Sequence, residues 1–167
     1  MKTKLFLLIV ISFIANQTIL AQGETNVLFK RSTLLVADME KSLTIYRDVL
    51  GFSMFGQIKN STKDSYSYPV FKVPKEATIR FATLNSKTQE RTLALTEVKG
   101  VKLPKPNTPL MSAIVIKVDN IQLTMDEIRK KGLETTAIRI VESKRLNYKE
   151  QAFIDYDGHL VVLYEVF

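Results

Sequence analysis

The chain has 167 residues, 24 of them lysine or arginine and 17 aspartate or glutamate, which gives a formal net charge of +7. It has no cysteine, so disulfides and thiolate metal sites are excluded. The basic excess is mild and contains no dense Lys/Arg tract, so nucleic-acid binding is not expected. With 46% apolar residues, the chain can bury the core of one compact domain.

The first residues have the pattern of a secretory signal peptide. Two lysines precede an apolar run, Leu5 to Ala15, that is too short for a comfortable membrane span. The stretch "TILAQ" offers a cleavage point after Ala21. We therefore predict a signal peptide over residues 1–21 and an exported, periplasmic or secreted domain over 22–167, with no membrane contact after cleavage. An uncleaved N-terminal anchor is the alternative.

The segment "TLLVADMEKSLTIYRDVLGF" predicts a strand followed by a helix. The strand is Thr33 to Ala37, and Asp38 is a good N-cap for the helix. Gly51 ends the helix, because it tolerates the left-handed conformation. Between them lies an apolar stripe at helical spacing: Met39, Leu43, Tyr46 and Leu50.

The same pattern recurs in the second half, in "AIVIKVDNIQLTMDEIRKKGL". The strand is Ile114 to Val118, the cap is Asp119 or Asn120, and Gly132 ends the helix. The apolar stripe is Ile121, Met125 and Ile128. A repeat of this kind indicates two copies of one unit packed together.

Three short segments rich in β-branched and aromatic residues follow each helix, so each unit reads strand, helix, strand, strand, strand. The stretch "KGVKLPKPNTPL" between the units carries three prolines and predicts an extended linker. The fold class is therefore α+β, with two tandem βαβββ modules. Module one spans about residues 29–99, the linker about 100–110 and module two about 111–167.

The opening "VADMEKSLTIYRDVLGF" and the closing "FIDYDGHLVVLYEVF" resemble the vicinal oxygen chelate superfamily, the glyoxalase, bleomycin-resistance and extradiol-dioxygenase group. The resemblance implies two half-cups of mixed sheet around a central cavity, with the helices outside. It also implies one divalent metal held by His, Glu or Gln from four strands, which acts as a Lewis acid.

The four positions that match those metal ligands are Arg31, Ala94, Ala113 and Val162. None of these side chains can bind a divalent cation, so no metal and no cofactor is predicted. The only histidine, His159, reads either as a ligand or general base, or as a turn residue that leans on a neighbouring strand. The turn reading is favoured, because the resemblance implies that a histidine at this turn is common without a catalytic role. Asp155, Asp157 and His159 together could also bind a cation weakly, but hairpin chemistry already explains both aspartates.

The resemblance places a set of polar side chains toward the cavity: Arg31, Thr33, Thr96, Lys117 and Tyr164. Arg31 could receive a carboxylate or phosphate in bidentate fashion. Alternatively, it reaches solvent or pairs with Glu97 or Glu165. The segment Asn60 to Thr78 reads as a flap over the cavity, a dimer contact or an ordinary strand.

We therefore predict an exported, metal-free member of this superfamily that binds a small, possibly anionic molecule, with no assigned catalytic residue. The alternatives are a metal-dependent lyase, isomerase or dioxygenase, a resistance-type protein that sequesters its ligand, and a scaffold that only dimerises. A homodimer is possible.

Overall fold

The computed structural model describes residues 28–167. The predicted signal peptide lies outside the described residues, as do the residues up to 27. In the part of the chain that is described, no helix is long and apolar enough to cross a membrane.

Module one contains five strands and two helices. Its sheet has the order β1–β5–β4–β2, and β3 also pairs with β4. The first and last strands, β1 and β5, run parallel, whereas the other pairs are antiparallel. The elements in chain order are β1 (Ser32–Val36), α1 (Met39–Tyr46), β2 (Ser53–Met54), β3 (Lys59–Asn60), α2 (Ser67–Val70), β4 (Thr78–Asn85) and β5 (Leu93–Lys99).

Module two repeats the plan with a sheet of order β6–β9–β8–β7, in which β6 and β9 are parallel. The two sheets stay separate, and the predicted α+β class with tandem βαβββ modules is confirmed. The elements are β6 (Ala113–Lys117), α3 (Ile121–Lys130), β7 (Arg139–Val141), β8 (Tyr148–Ile154) and β9 (Leu160–Val166).

Both main helices begin at the predicted type of cap. The Asp38 carboxylate accepts a hydrogen bond from the Lys41 amide at 3.0 Å, and the Asn120 side chain accepts one from Leu123 at 2.9 Å. Of the two cap candidates in module two, Asn120 is therefore the one used. Gly51 follows the first helix at φ +77°, as a left-handed terminator requires.

A buried carboxylate on the last strand of each module holds the first amide of that module's helix. Glu97 accepts from the Met39 amide at 2.9 Å, and Glu165 accepts from the Ile121 amide at 2.5 Å. A cation directly across the sheet completes each pair. Arg80 binds Glu97 through two nitrogens, at 2.6 and 2.9 Å.

In module two the same role falls to Lys149, whose ammonium lies 2.9 Å from Glu165. Burial would raise the pKa of Glu97, but the hydrogen bonds from Arg80 and the Met39 amide outweigh it and hold that pKa below its usual value. The amide of Ile121 and the Lys149 ammonium likewise lower the pKa of Glu165. Both carboxylates are therefore ionised anchors for their helices.

The main core lies between the helices and the two sheets and joins both modules. A second cluster fills the other, concave face of the first sheet. There Tyr68, only 1% exposed, packs with Ile79 and Val98, and its hydroxyl donates to the Ala77 carbonyl at 3.0 Å. The segment Asn60 to Thr78 therefore contains a short helix that plugs this concave face, and not a strand across it.

Candidate functional site

The two sheets meet at their free edges. Strand β1 pairs only with β5, and β6 pairs only with β9, so each leaves one edge without a strand partner among the described residues. Both edges line one cavity of about 590 Å³, with Ser32 to Leu34 on one side and Ser112 to Ile114 on the other. We call this gap between β1 and β6 the seam.

A second cavity of about 760 Å³ continues along β6. It shares three lining residues with the first: Ser32, Ala113 and Ile114. A third cavity of about 480 Å³ follows at the far end of the same strand, near the start of α3. The unpaired edge of β6 therefore borders a groove along its whole length.

One end of the seam is bridged by the turn Asp155–His159, which we call the clamp. The Asp157 carboxylate accepts a hydrogen bond from the Ala37 amide at 2.9 Å. The Nε2 atom of His159 lies 2.8 Å from the Leu35 carbonyl oxygen, so this nitrogen donates. Two side chains of module two thus bind the backbone at the end of β1.

A buried hydrogen bond strengthens the clamp from the helix side. The Tyr46 hydroxyl donates to the Asp155 carboxylate at 2.7 Å, and the amides of Asp157 and His159 donate to the other oxygen of that carboxylate. Burial and the adjacent carboxylate raise the pKa of Tyr46 well above its ordinary value, so the phenol stays a donor. Burial also raises the pKa of Asp157.

The linker packs on the clamp as well. Gly158 has φ +93°, and a Cβ added there would lie 2.3 Å from Cγ of Pro106. Only glycine fits this turn, because both the backbone conformation and the proline ring exclude a side chain. The linker, the clamp and β1 therefore form one packed end of the seam.

The other end of the seam has no such clamp, and we call it the open end. The equivalent turn of module one, between β4 and β5, is longer, and its Gln89 side chain donates to the Lys30 carbonyl at 2.6 Å. This bond ties the turn to the chain before β1 and not to module two. Lys87 of the turn lines the two cavities at this end, together with Phe52 and Lys117.

The concave face of the second sheet is bare. Val166 is 40% exposed there, whereas Val98, at the matching position of the first sheet, is 2% exposed under the Tyr68 plug. The rings of Tyr148 and Tyr164 lie 5.2 Å apart on this second face, in a tilted arrangement. Among the described residues, then, only the second sheet offers an open concave surface beside the seam.

Comparison with known proteins agrees with this architecture. A sequence model of the Glyoxalase/Bleomycin resistance protein/Dioxygenase superfamily matches residues 28–163. The chain belongs to this superfamily. No curated protein sequence matches the chain significantly.

Solved structures of the superfamily share the fold at low sequence identity. A glyoxalase family protein from Bacillus cereus superposes with a TM-score of 0.68 at 13% identity, covering 89% of this chain and 99% of that one. The trypanothione-dependent glyoxalase I of Leishmania major gives 0.57 at 17% identity, covering 83% and 86%. The fosfomycin resistance protein FosX of Listeria monocytogenes, complexed with Mn(II) and sulfate, gives 0.54 at 14%, covering 84% and 93%. At these identities the likeness shows the fold alone.

The residues at the four positions that the sequence resemblance assigned to metal ligands do not fit a divalent ion. Ala94 faces Thr83 across the first sheet, Val162 faces Ala152 across the second, and Ala113 lines the seam. None of the three has a donor atom, and the fourth position is Arg31, a permanent cation. Residues 28–167 contain no group of three or more His, Asp or Glu that could hold a metal.

The structure places the five predicted cavity residues in different surroundings. Thr33 lines the 590 Å³ cavity, and Lys117 lines the 760 Å³ cavity. Thr96 is buried at 4% exposure on the plugged concave face, next to Leu35. Tyr164 lies on the bare concave face against Tyr148.

The fifth residue, Arg31, is half-buried immediately before β1. The two carboxylates considered as its partners, Glu97 and Glu165, are instead bound by Arg80 and Lys149. Asp155, Asp157 and His159 join the clamp, in agreement with a turn role for the histidine.

Sequence reasoning missed two sets of residues. The first is the carboxylate anchors, although the repeated "LTEV" and "LYEV" place Glu97 and Glu165 at matching positions. The second is Lys87, which no pattern in the sequence assigns to the seam, because only the fold brings the β4–β5 turn beside β6.

Proposed function

We propose that this chain is an exported, metal-independent member of the superfamily that binds a small molecule in the seam. Two observations carry the proposal: a groove of ligand size lies between the two modules, and the side chains assigned to the superfamily's metal-ligand positions cannot hold a metal. The two adjoining cavities of the groove, about 590 and 760 Å³, lie within the range of small-molecule sites.

The lining of the seam favours binding over catalysis. His159 borders the 590 Å³ cavity, but its Nε2–H group already donates a hydrogen bond to the Leu35 carbonyl. The neighbouring carboxylates Asp155 and Asp157 are engaged in the clamp. What the seam offers instead is hydroxyl groups such as that of Thr33, the ammonium of Lys117 and the free strand edges.

Binding can be tested by NMR with isotopically labelled protein in a chelating buffer. A library of small anionic and neutral compounds should include some that shift the amide signals of β1 and β6. Ala113→Trp fills the seam and should abolish these shifts, because Ala113 lines both cavities. Ile140→Trp adds the same bulk at a 55% exposed position of β7 and serves as the control.

Two results would contradict the proposal. One is a library that shifts no seam residue in the wild type. The other is binding that needs added metal and disappears with the chelator.

Export is a separate part of the proposal, supported by the apolar run Leu5 to Ala15 and the cleavage pattern at Ala21. When the full chain is expressed with a secretion system, intact mass should give a product that begins at Gln22 outside the cytoplasm. A cytoplasmic product that retains Met1 would contradict export. Light scattering on the same sample decides whether the protein is a monomer or a homodimer.

A further inference from the structure

We propose that the open end of the seam binds amphipathic carboxylates, with the anion between Lys87 and Lys117 and the apolar body against the walls of the 760 Å³ cavity. This inference rests on the proposed function, because it names the ligand class of the same groove. It differs from the superfamily's metal chemistry in needing no cation beyond the protein's own ammonium groups.

The walls of this cavity suit an apolar body. Much of the lining is aromatic or aliphatic, and some of it continues the main core: Phe29, Phe52, Leu93, Ile114, Val115 and Ile116. Phe29 is 72% exposed without a ligand. A ligand that covers Phe29 and the exposed Val115 removes apolar surface from water, which favours binding by about 25 cal/mol per Å².

The charges at this end favour a single negative charge. Lys87 and Lys117 line both the 760 and the 480 Å³ cavity, and Asp119 is the one carboxylate that lines them. None of the ion pairs between described residues involves these three side chains. Two ammonium groups against one carboxylate leave a local charge of one positive unit. The two lysines are therefore free to bind an anion, and Asp119 disfavours a multiply charged one.

The edge of β6 supplies neutral hydrogen bonds beside the lysines. The Val118 amide donates a hydrogen bond to the Tyr164 carbonyl of β9. Because only every second residue of β6 faces β9, the N–H and C=O groups of Val115 and Lys117 point to the side without a strand partner. Hydroxyl groups of Ser32 and Ser86 also line the cavity. A carboxylate held by a lysine can therefore also accept a hydrogen bond from the strand edge.

Matched pairs of acid and amide test the inference. The probes are phenylbutyrate and naphthaleneacetate, each beside its primary amide, which has nearly the same shape without the charge. Calorimetry on the mature protein at low salt should show each acid binding at least tenfold more tightly than its amide. Lys117→Met and Lys87→Met should each weaken the acid about threefold to tenfold and leave the amide unchanged.

Lys144→Met is the matched control, because Lys144 is exposed in the β7–β8 connection and lines none of the three seam cavities. It should leave the affinity for the acids unchanged. Raising the salt concentration should weaken binding of the acids more than binding of the amides, since exposed charges are screened.

Four outcomes would overturn the inference. Acid and amide could bind equally, or both lysine variants could match the wild type. In either case the groove still binds small molecules and the proposed function stands. If neither probe binds but neutral library compounds shift seam residues, the ligand class is wrong and the site is right. If no compound shifts any seam residue, both proposals fail together.

Discussion

The two modules share one plan but treat their concave faces differently. In module one, Tyr68 and its short helix cover the face, and Thr96 is buried beneath them. In module two no such segment exists between β6 and β9 among the described residues, and Val166, which matches Val98 in the repeat, is 40% exposed. The repeat therefore sets the frame, and the inserted segment decides which of the two concave faces is covered.

The two ends of the seam differ in the same way. The short turn of module two reaches the backbone of β1 through Asp157 and His159. The longer turn of module one folds back on its own chain through Gln89 and leaves Lys87 at a cavity. A pseudo-symmetric pair of turns thus bridges the two modules at one end of the groove and not at the other.

The largest effect should come from removing the plug. Tyr68→Ala should lower the free energy of unfolding by about 4 kcal/mol, because it deletes a fully buried aromatic ring and leaves a cavity. Tyr164→Ala, on the bare face, should cost about 1 kcal/mol. Urea unfolding measures both. Equal losses would show that the two concave faces are not different.

The carboxylate anchors should rank next. Glu97→Ala should cost about 3 kcal/mol, because Arg80 and the Met39 amide lose their shared partner at a position 1% exposed. Glu165→Ala should cost about 2 kcal/mol, since the Glu165 side chain is 12% exposed and that of Glu97 only 2%. Glu127→Ala removes an exposed pair and should leave the unfolding midpoint in place. A larger loss in module two than in module one would contradict this ranking.

The clamp should contribute less than either. Tyr46→Phe removes the 2.7 Å hydrogen bond to Asp155 and should cost about 1.5 kcal/mol. It should also speed hydrogen exchange of the Ala37 amide, which the clamp protects. Tyr66→Phe, at a tyrosine 80% exposed, is the control and should change neither. If the Ala37 amide exchanges hydrogen at the same rate in both variants, the clamp does not hold the modules together.

The dependence of folding stability on acid pH should distinguish the carboxylate anchors, Glu97 and Glu165, from the clamp. The pKa values of Glu97 and Glu165 are lowered by folding, so their stabilisation is full above about pH 4.3, the unfolded value, and is lost as the pH falls through their folded values. The effect of Asp157 on stability has the opposite pH dependence, because burial raises its pKa and so favours the protonated carboxyl in the folded state. Stability should therefore fall below about pH 4, and less steeply in Glu97→Gln than in the wild type. Parallel curves for the two proteins would contradict the anchor role.

The sequence was enough to predict the frame. Repeated caps at Asp38 and Asn120, apolar stripes and glycine stops are local signals, and the structure uses them as expected. The lining of the site was harder to predict from the sequence, because it depends on which segment covers which face of each sheet. Strand parity predicted that Thr96 faces the cavity, but nothing in the local sequence shows that Tyr68 covers this face of the sheet or that Thr96 is buried. Lys87 was missed for the same reason, since its position depends on the direction of a long turn.

The most direct test of the account is metal stoichiometry. The mature protein is incubated in turn with nickel, zinc, manganese and iron, dialysed against metal-free buffer, and analysed by elemental mass spectrometry beside its seam-binding measurements. The account predicts no stoichiometric metal after dialysis, with ligand binding at the seam unchanged by chelator. One tightly held ion per chain, required for binding at the seam, would contradict it.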